Sequence, residues 1–145
     1  MHKGLEGYWQ FENSTNDSTT NENDIASISG TTFTNHLDGK LGQAIAFDPG
    51  DQAAIPDDTS YYESLDPDQG ITVAANVNPD SGTGSIIDKD TYELYVSGGD
   101  AYFDFTTTSG STNINLGSVP TNEWTHVTAT YNASTGAVRR SGVQI

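Results

Sequence analysis

Thirteen residues, Pro120 to Asn132, constrain this chain more than any others: Pro-Thr-Asn-Glu-Trp-Thr-His-Val-Thr-Ala-Thr-Tyr-Asn. Val127, Ala129 and Tyr131 alternate with Thr128 and Thr130, the period-two pattern of a strand with one buried face. Pro120 and Asn122 mark a turn before it, and Asn132 and Gly136 mark one after it. A chain built around such a strand must supply partners for it, and the rest of the sequence supplies short strands in number. Leu5, Gly7, Trp9 and Phe11 alternate with Glu6, Tyr8, Gln10 and Glu12, predicting a strand over 5–12. Residues 13–24 contain no apolar side chain and predict a surface loop. Short strands are expected around Ile25, Ile28 and Phe33, over Gly39–Phe47 and over Ala53–Ile55, where Pro56 stops the pairing. Ile71, Val73, Ala75 and Val77 repeat the period of two. Further strands follow at Ile86–Ile87, Tyr92–Val96, Ala101–Phe105 and Asn113–Leu116.

No stretch of ten residues carries a helical stripe, and the strands recur at roughly 8–12 residues, the spacing of an all-β sandwich. The fold class expected is therefore an antiparallel β-sandwich or jelly roll. At 145 residues the chain suits one domain, expected over 1–145. There is no cysteine, so packing and strand pairing must hold the fold without disulfides. No apolar run is long enough to span a bilayer, and residues 1–12 lack the apolar core of a secretory signal.

Charge narrows the partners. Twenty Asp and Glu stand against five Lys and Arg, a formal net charge of −15. Nucleic acid is excluded as a partner, since its binding rests on neutralising phosphates with Lys and Arg. Fourteen of the acids are Asp, and they are spread through turns along the whole chain. Self-repulsion on that scale costs stability unless salt screens it, and the Debye length falls to about 3 Å at 1 M. A high-salt setting is expected, although an acidic surface also serves plain solubility.

The strand E-W-T-H-V-x-A-T-Y-N at 123–132 resembles one near the end of the laminin G-like jelly roll, within the concanavalin A-like lectin and glucanase group. G-L-E-G-Y-W-Q-F-E, L-G-Q-A-I-A-F-D-P-G-D-Q-A-A-I-P, G-I-T-V-A-A-N-V-N-P and Y-E-L-Y-V resemble its earlier blocks, in the family's order. The resemblance implies a concanavalin A-like fold for a single laminin G-like domain. Two departures stand out. Asn76 occupies a position where the family usually has Trp, and the chain stops before the family's closing strands, so the C-terminal strands are expected to be lacking.

Enzymes among such relatives cleave β-glucans with an E-x-D-x-x-E strand motif, because hydrolysis needs two carboxylates at a set separation. None of Glu6, Glu12, Glu22, Glu63, Glu93 or Glu123 begins that motif, so no catalytic residues are expected. His126 falls on the polar face of its strand without a companion nucleophile, and a surface role is expected of it. The resemblance implies Ca²⁺ as the cofactor, if there is one, with Asp88 and Asp90 as ligands in a position like the acidic pair of some pentraxin-like relatives. In so acidic a chain, though, any loop offers two carboxylates. Tyr61 and Tyr62 are candidate contact residues for glycan or partner; being adjacent they face opposite ways, so one is core and the other free.

Arg139 and Arg140, the chain's two arginines, fall where the alternation lapses, and residues 137–145 are expected at a subunit contact. The function expected is a non-enzymatic surface module acting by protein or glycan contact. It would be a structural, decoration or adhesion component of a virion or extracellular assembly, built as a homo-oligomer or larger particle without membrane insertion. The alternative is a carbohydrate-binding module of a secreted enzyme.

Overall fold

A computed structural model describes residues 4–35, 38–56, 65, 70–108 and 110–132, together with the backbone of 137–144. Eleven strands follow in order: β1 (Ser27–Ser29), β2 (Thr32–Phe33), β3 (Ile45–Ala46), β4 (Gln52–Ala54), β5 (Gly70–Val77), β6 (Thr83–Lys89), β7 (Tyr92–Ser97), β8 (Asp100–Thr107), β9 (Gly110–Ser118), β10 (Thr125–Asn132) and β11 (Ala137–Gln144). Every pairing between them is antiparallel. The fold is all-β, as the strand pattern predicts. The chain divides into two compact units, Met1–Pro67 and Asp68–Ile145.

The second unit contains two sheets, in the orders β6-β7-β8-β9 and β11-β10-β5. The opening strand of the sequence argument, β10, sits in the middle of the smaller sheet, and Val127, Ala129 and Tyr131 pair with Ala75, Val73 and Ile71. The period of two puts Val73, Val127 and Ala129 inside, where they join Tyr92, Leu94, Ala101, Phe103, Phe105, Leu116 and Val119 in one apolar cluster. The Phe105 and Tyr131 rings meet at 4.2 Å between centroids, and Phe103 and Phe105 stack at 5.8 Å. Burying a side chain such as Phe103 or Leu94, both without exposed surface, contributes about 1.5–3 kcal/mol each. Asn76 is exposed and lies beside His126, its register partner, so the family's usual Trp is missing from the polar face and the core is intact.

Residues 137–144 form β11 beside β10, in a register that slips between His126 and Thr128, whose partners are Gln144 and Ser141. The strand forms although the alternation of the sequence lapses at Arg139 and Arg140, and its register is unbroken from Ala137 to Ser141. Arg139 takes the position opposite Thr130, and Arg140 the one opposite Ala129.

The first unit is held differently. Its strands are two or three residues long, β1 pairing with β4 and β2 with β3. The strand expected over 5–12 is a loop with one bridge, Trp9 to Asp17. Burial still alternates along it, with Gly7, Trp9 and Phe11 more covered than their neighbours, but Phe11 sits at φ 58 and breaks the extension. The expected strand over 39–47 shrinks to Ile45–Ala46.

The polar loop 13–24 is not simply surface, because Asp17 is 8% exposed and Asn23 is fully buried. The Asp17 carboxylate accepts the Tyr8 N–H at 2.8 Å, the Thr19 N–H at 2.9 Å, the Thr19 hydroxyl at 2.7 Å and the Asn23 N–H at 3.1 Å. The Trp9 indole N–H donates to the Asn23 carbonyl at 2.8 Å, and the Asn23 amide donates to the Glu6 carbonyl at 2.6 Å. Burial alone would raise the Asp17 carboxyl; the Thr19 hydroxyl and the three backbone N–H groups outweigh it and hold the group below its ordinary value of 3.8.

Candidate functional site

The β7–β8 hairpin turns on Gly98 and Gly99, whose φ values of 62° and 85° suit the two-residue turn that matches strand twist. A two-residue turn fixes register, so Ser97 faces Asp100 and, two steps on, Tyr95 faces Tyr102. Tyr92, Leu94 and Val96 of β7 and Ala101, Phe103 and Phe105 of β8 are buried, which turns Glu93, Tyr95, Tyr102 and Asp104 to the opposite face. In β9 the register slips between the partners of Ala101 and Tyr102, and Gly117 (φ 118°) supplies the conformation for the irregularity. Asn113 and Asn115 then stand opposite Asp104 and Tyr102.

The outer face of this sheet is an ordered grid. One row across the four strands runs Asp88, Glu93, Asp104 and Asn113, and the next runs Ser85, Tyr95, Tyr102 and Asn115. The two tyrosine rings stack with centroids 5.4 Å apart and planes 18° from parallel. The Asn113 amide donates to the Tyr95 hydroxyl oxygen at 2.8 Å and to the Asp104 carboxylate. The Asn115 amide donates to Asp100 at 2.8 Å, while its carbonyl accepts the Gly117 N–H at 2.8 Å. These bonds fix the rings and amides before any partner arrives, which lowers the ordering cost of a contact. Three carboxylates in adjacent strands repel one another. The face thus combines a rigid aromatic platform with a dense rim of acceptors.

The residues singled out in the sequence distribute unevenly about it. Asp88 lies in the acidic row, while Asp90 sits exposed in the β6–β7 turn. No group of three or more His, Cys, Asp or Glu that could hold a metal is gathered among the described residues. Tyr61 and Tyr62 lie outside the described residues. Arg139 and Arg140 belong to β11, which pairs with β10 in the other sheet. His126 is bonded on both ring nitrogens, Nδ1 to the Asn76 amide oxygen at 3.1 Å and Nε2 to the Thr128 hydroxyl at 2.9 Å. The bond to Asn76 ties β10 to β5, and the bond to Thr128 stays within β10.

Tyr95, Tyr102, Asn113 and Asn115 were not picked out by sequence reasoning. Their signal was present in the Gly98–Gly99 turn, which pairs two wet-face tyrosines as soon as it is taken as a two-residue hairpin.

The second unit thus joins two antiparallel sheets over an apolar core and carries a half-buried pair of stacked tyrosines on the outer face of one of them. The sequence model of a laminin G-like family, described as the Concanavalin A-like lectin/glucanases superfamily, matches residues 47–145, so the chain belongs to that superfamily. The match takes in the whole second unit and the end of the first. No curated protein and no solved structure matches the chain. Membership supports a carbohydrate- or protein-binding module in general terms.

Proposed function

We propose that this chain is a non-enzymatic contact module that works through the outer face of β6–β9. Its setting is the surface of a virion or other extracellular assembly at high salt, where it serves as a structural, decoration or adhesion component. The observation that carries this reading is the stacked Tyr95–Tyr102 pair, held in place by Asn113 and framed by Glu93, Asp104 and Asn115. Fixed aromatic surface with amides and carboxylates at its edge is the chemistry of surface recognition. The row Asp88, Glu93, Asp104 supports the high-salt setting, since aligned like charges are tolerated best where salt screens them.

A second reading, a carbohydrate-binding module of a secreted enzyme, is favoured by the amide and phenol groups, which suit sugar hydroxyls. Gene neighbourhood separates the two: capsid or tail genes alongside favour the first, and a glycosidase in the same reading frame favours the second. The non-enzymatic part is tested by incubating the protein with β-glucans and measuring reducing ends. No turnover is expected. Reproducible hydrolysis abolished by changing one glutamate overturns it.

A further inference from the structure

On the outer face of β6–β9, Tyr95 stands opposite Tyr102, and Glu93 stands opposite Asp104 in the adjoining row. Each ring therefore has a carboxylate two residues away on its own strand, about 7 Å along it, and the face carries two such ring–carboxylate pairs side by side. The Asn113 amide ties them together, donating to the Tyr95 hydroxyl oxygen and to the Asp104 carboxylate. Asp88 extends the acidic row into β6. The one basic residue within these four strands, Lys89, pairs with buried Tyr92 and so takes the side opposite to Asp88 and Glu93. The four strands thus supply no cation for their own outer face. A lysine or amino-sugar ammonium is a compact, strongly hydrated point charge. A guanidinium is planar and more weakly hydrated, and it uses both halves of each pair at once, stacking on the ring and giving paired N–H donors to the carboxylate.

We propose that this face binds an arginine-bearing segment of a partner protein, one guanidinium seated on Tyr95 with Glu93 and a second on Tyr102 with Asp104. The inference rests on the contact-module reading and narrows it by naming the chemistry of the partner. An extended segment presents alternate side chains on one side about 7 Å apart, and the two pairs lie one strand spacing apart, about 5 Å; the long arginine stem absorbs the difference. A chain at net charge −15 attracts any cation over long range, but that attraction is screened where the Debye length falls to about 3 Å, at 1 M salt. Stacking and paired hydrogen bonds act at contact distance and persist there. High salt therefore separates recognition by this face from attraction to the acidic surface as a whole.

The test is fluorescence anisotropy of a labelled, end-capped peptide of alternating glycine and arginine, titrated with the full chain in 3 M NaCl. Saturable binding is expected. Tyr95→Ser with Tyr102→Ser, and separately Glu93→Gln with Asp104→Asn, should each weaken it roughly tenfold or more. Asp80→Asn with Glu123→Gln removes the same charge from exposed positions off the face and should leave it within about twofold. Tyr95→Phe with Tyr102→Phe keeps both rings and should stay within about threefold. The amide and phenylalanine variants keep side-chain volume, so they decide the matter even if the serine variant unfolds. A peptide of alternating glycine and lysine should bind roughly fivefold more weakly or worse. The proposal is overturned by absence of saturable binding, by undiminished binding in the amide variant, by equal weakening in the off-face pair, by loss in a folded phenylalanine variant, or by a lysine peptide that binds as tightly. Tyrosine-dependent binding of a neutral glycan or a glucosamine oligomer, with none of the arginine peptide, would leave the contact-module reading standing while this inference fell.

Discussion

The two units of this chain solve one problem by opposite means. Unit two, Asp68–Ile145, buries a continuous apolar cluster between two sheets, and its polar groups are largely left to ladders and outer faces. In unit one, Met1–Pro67, the side chains that are buried among the described residues are Asp17 and Asn23, while Leu5, Tyr8, Ile28, Leu41 and Phe47 are exposed. Short strands cannot cover much apolar surface, so backbone N–H groups converging on one carboxylate do the work that packing does elsewhere. The lesson concerns failure modes. Unit two should respond to lost volume and unit one to lost charge.

The largest effect is expected from Phe103→Ala. Removing a fully buried ring costs about 3–5 kcal/mol, through lost transfer energy and the cavity left behind. Denaturant unfolding followed by the near-ultraviolet signal of unit two measures it; a loss below about 1 kcal/mol would mean that the cluster does not hold the unit.

Asp17→Asn comes next. It replaces an ionised acceptor of four donors with an amide, and stranded donors cost about 1–3 kcal/mol in all. Acid should imitate the substitution. The carboxyl titrates lower in the folded chain than its ordinary 3.8, so its ionisation favours the fold: the contribution is complete above 3.8 and is lost as pH falls through the folded value. Protection of the Tyr8, Thr19 and Asn23 amides, taken relative to the intrinsic exchange rate at each pH, should therefore fall below pH 4 in the unchanged protein. In Asp17→Asn it should already be low at neutral pH and lack the acid step that Asp17 contributes. Equal protection in both proteins would remove Asp17 from its place in unit one.

Salt should act on both units and more gently. Raising NaCl from 0.1 M to 3 M screens the −15 charge and is expected to add roughly 1 kcal/mol, or about 4 °C in Tm. A flat or falling Tm contradicts the high-salt setting.

The same contrast explains what the sequence disclosed. Unit two was legible because its signals are periodic: Val127, Ala129 and Tyr131 on one side of β10, Leu94 and Val96 on one side of β7, and a Gly98–Gly99 turn that fixes the hairpin. Even the contact face was implicit in that turn. Unit one gave no such signal. Whether a polar run such as Asn13–Asp24 lies on the surface or wraps a buried carboxylate depends on left-handed residues, here Phe11, Asn13 and Glu22, whose types do not demand that conformation. β11 was obscured for a third reason, since the sequence lacks apolar–polar alternation at Arg139 and Arg140 although the backbone there pairs in regular register with β10. The candidates at Asp88 and Asp90 came from chain position alone. Chain position does not say whether further oxygens converge on them, and no third acidic or histidine ligand does so among the described residues.

The central claim, that contact is made by the outer face of unit two and not by the polar scaffold of unit one, is tested most directly by binding to an array of immobilised neutral, amino and sulfated glycans and basic peptides in 3 M NaCl. Three proteins are compared: the unchanged chain, Tyr95→Ser with Tyr102→Ser, and Asp17→Asn. The account predicts that the tyrosine variant keeps its Tm within a few degrees and loses at least tenfold in affinity for whatever the unchanged chain binds, while Asp17→Asn is less stable and binds as before. Undiminished binding by the tyrosine variant, with loss in Asp17→Asn at a temperature where it is folded, would contradict it.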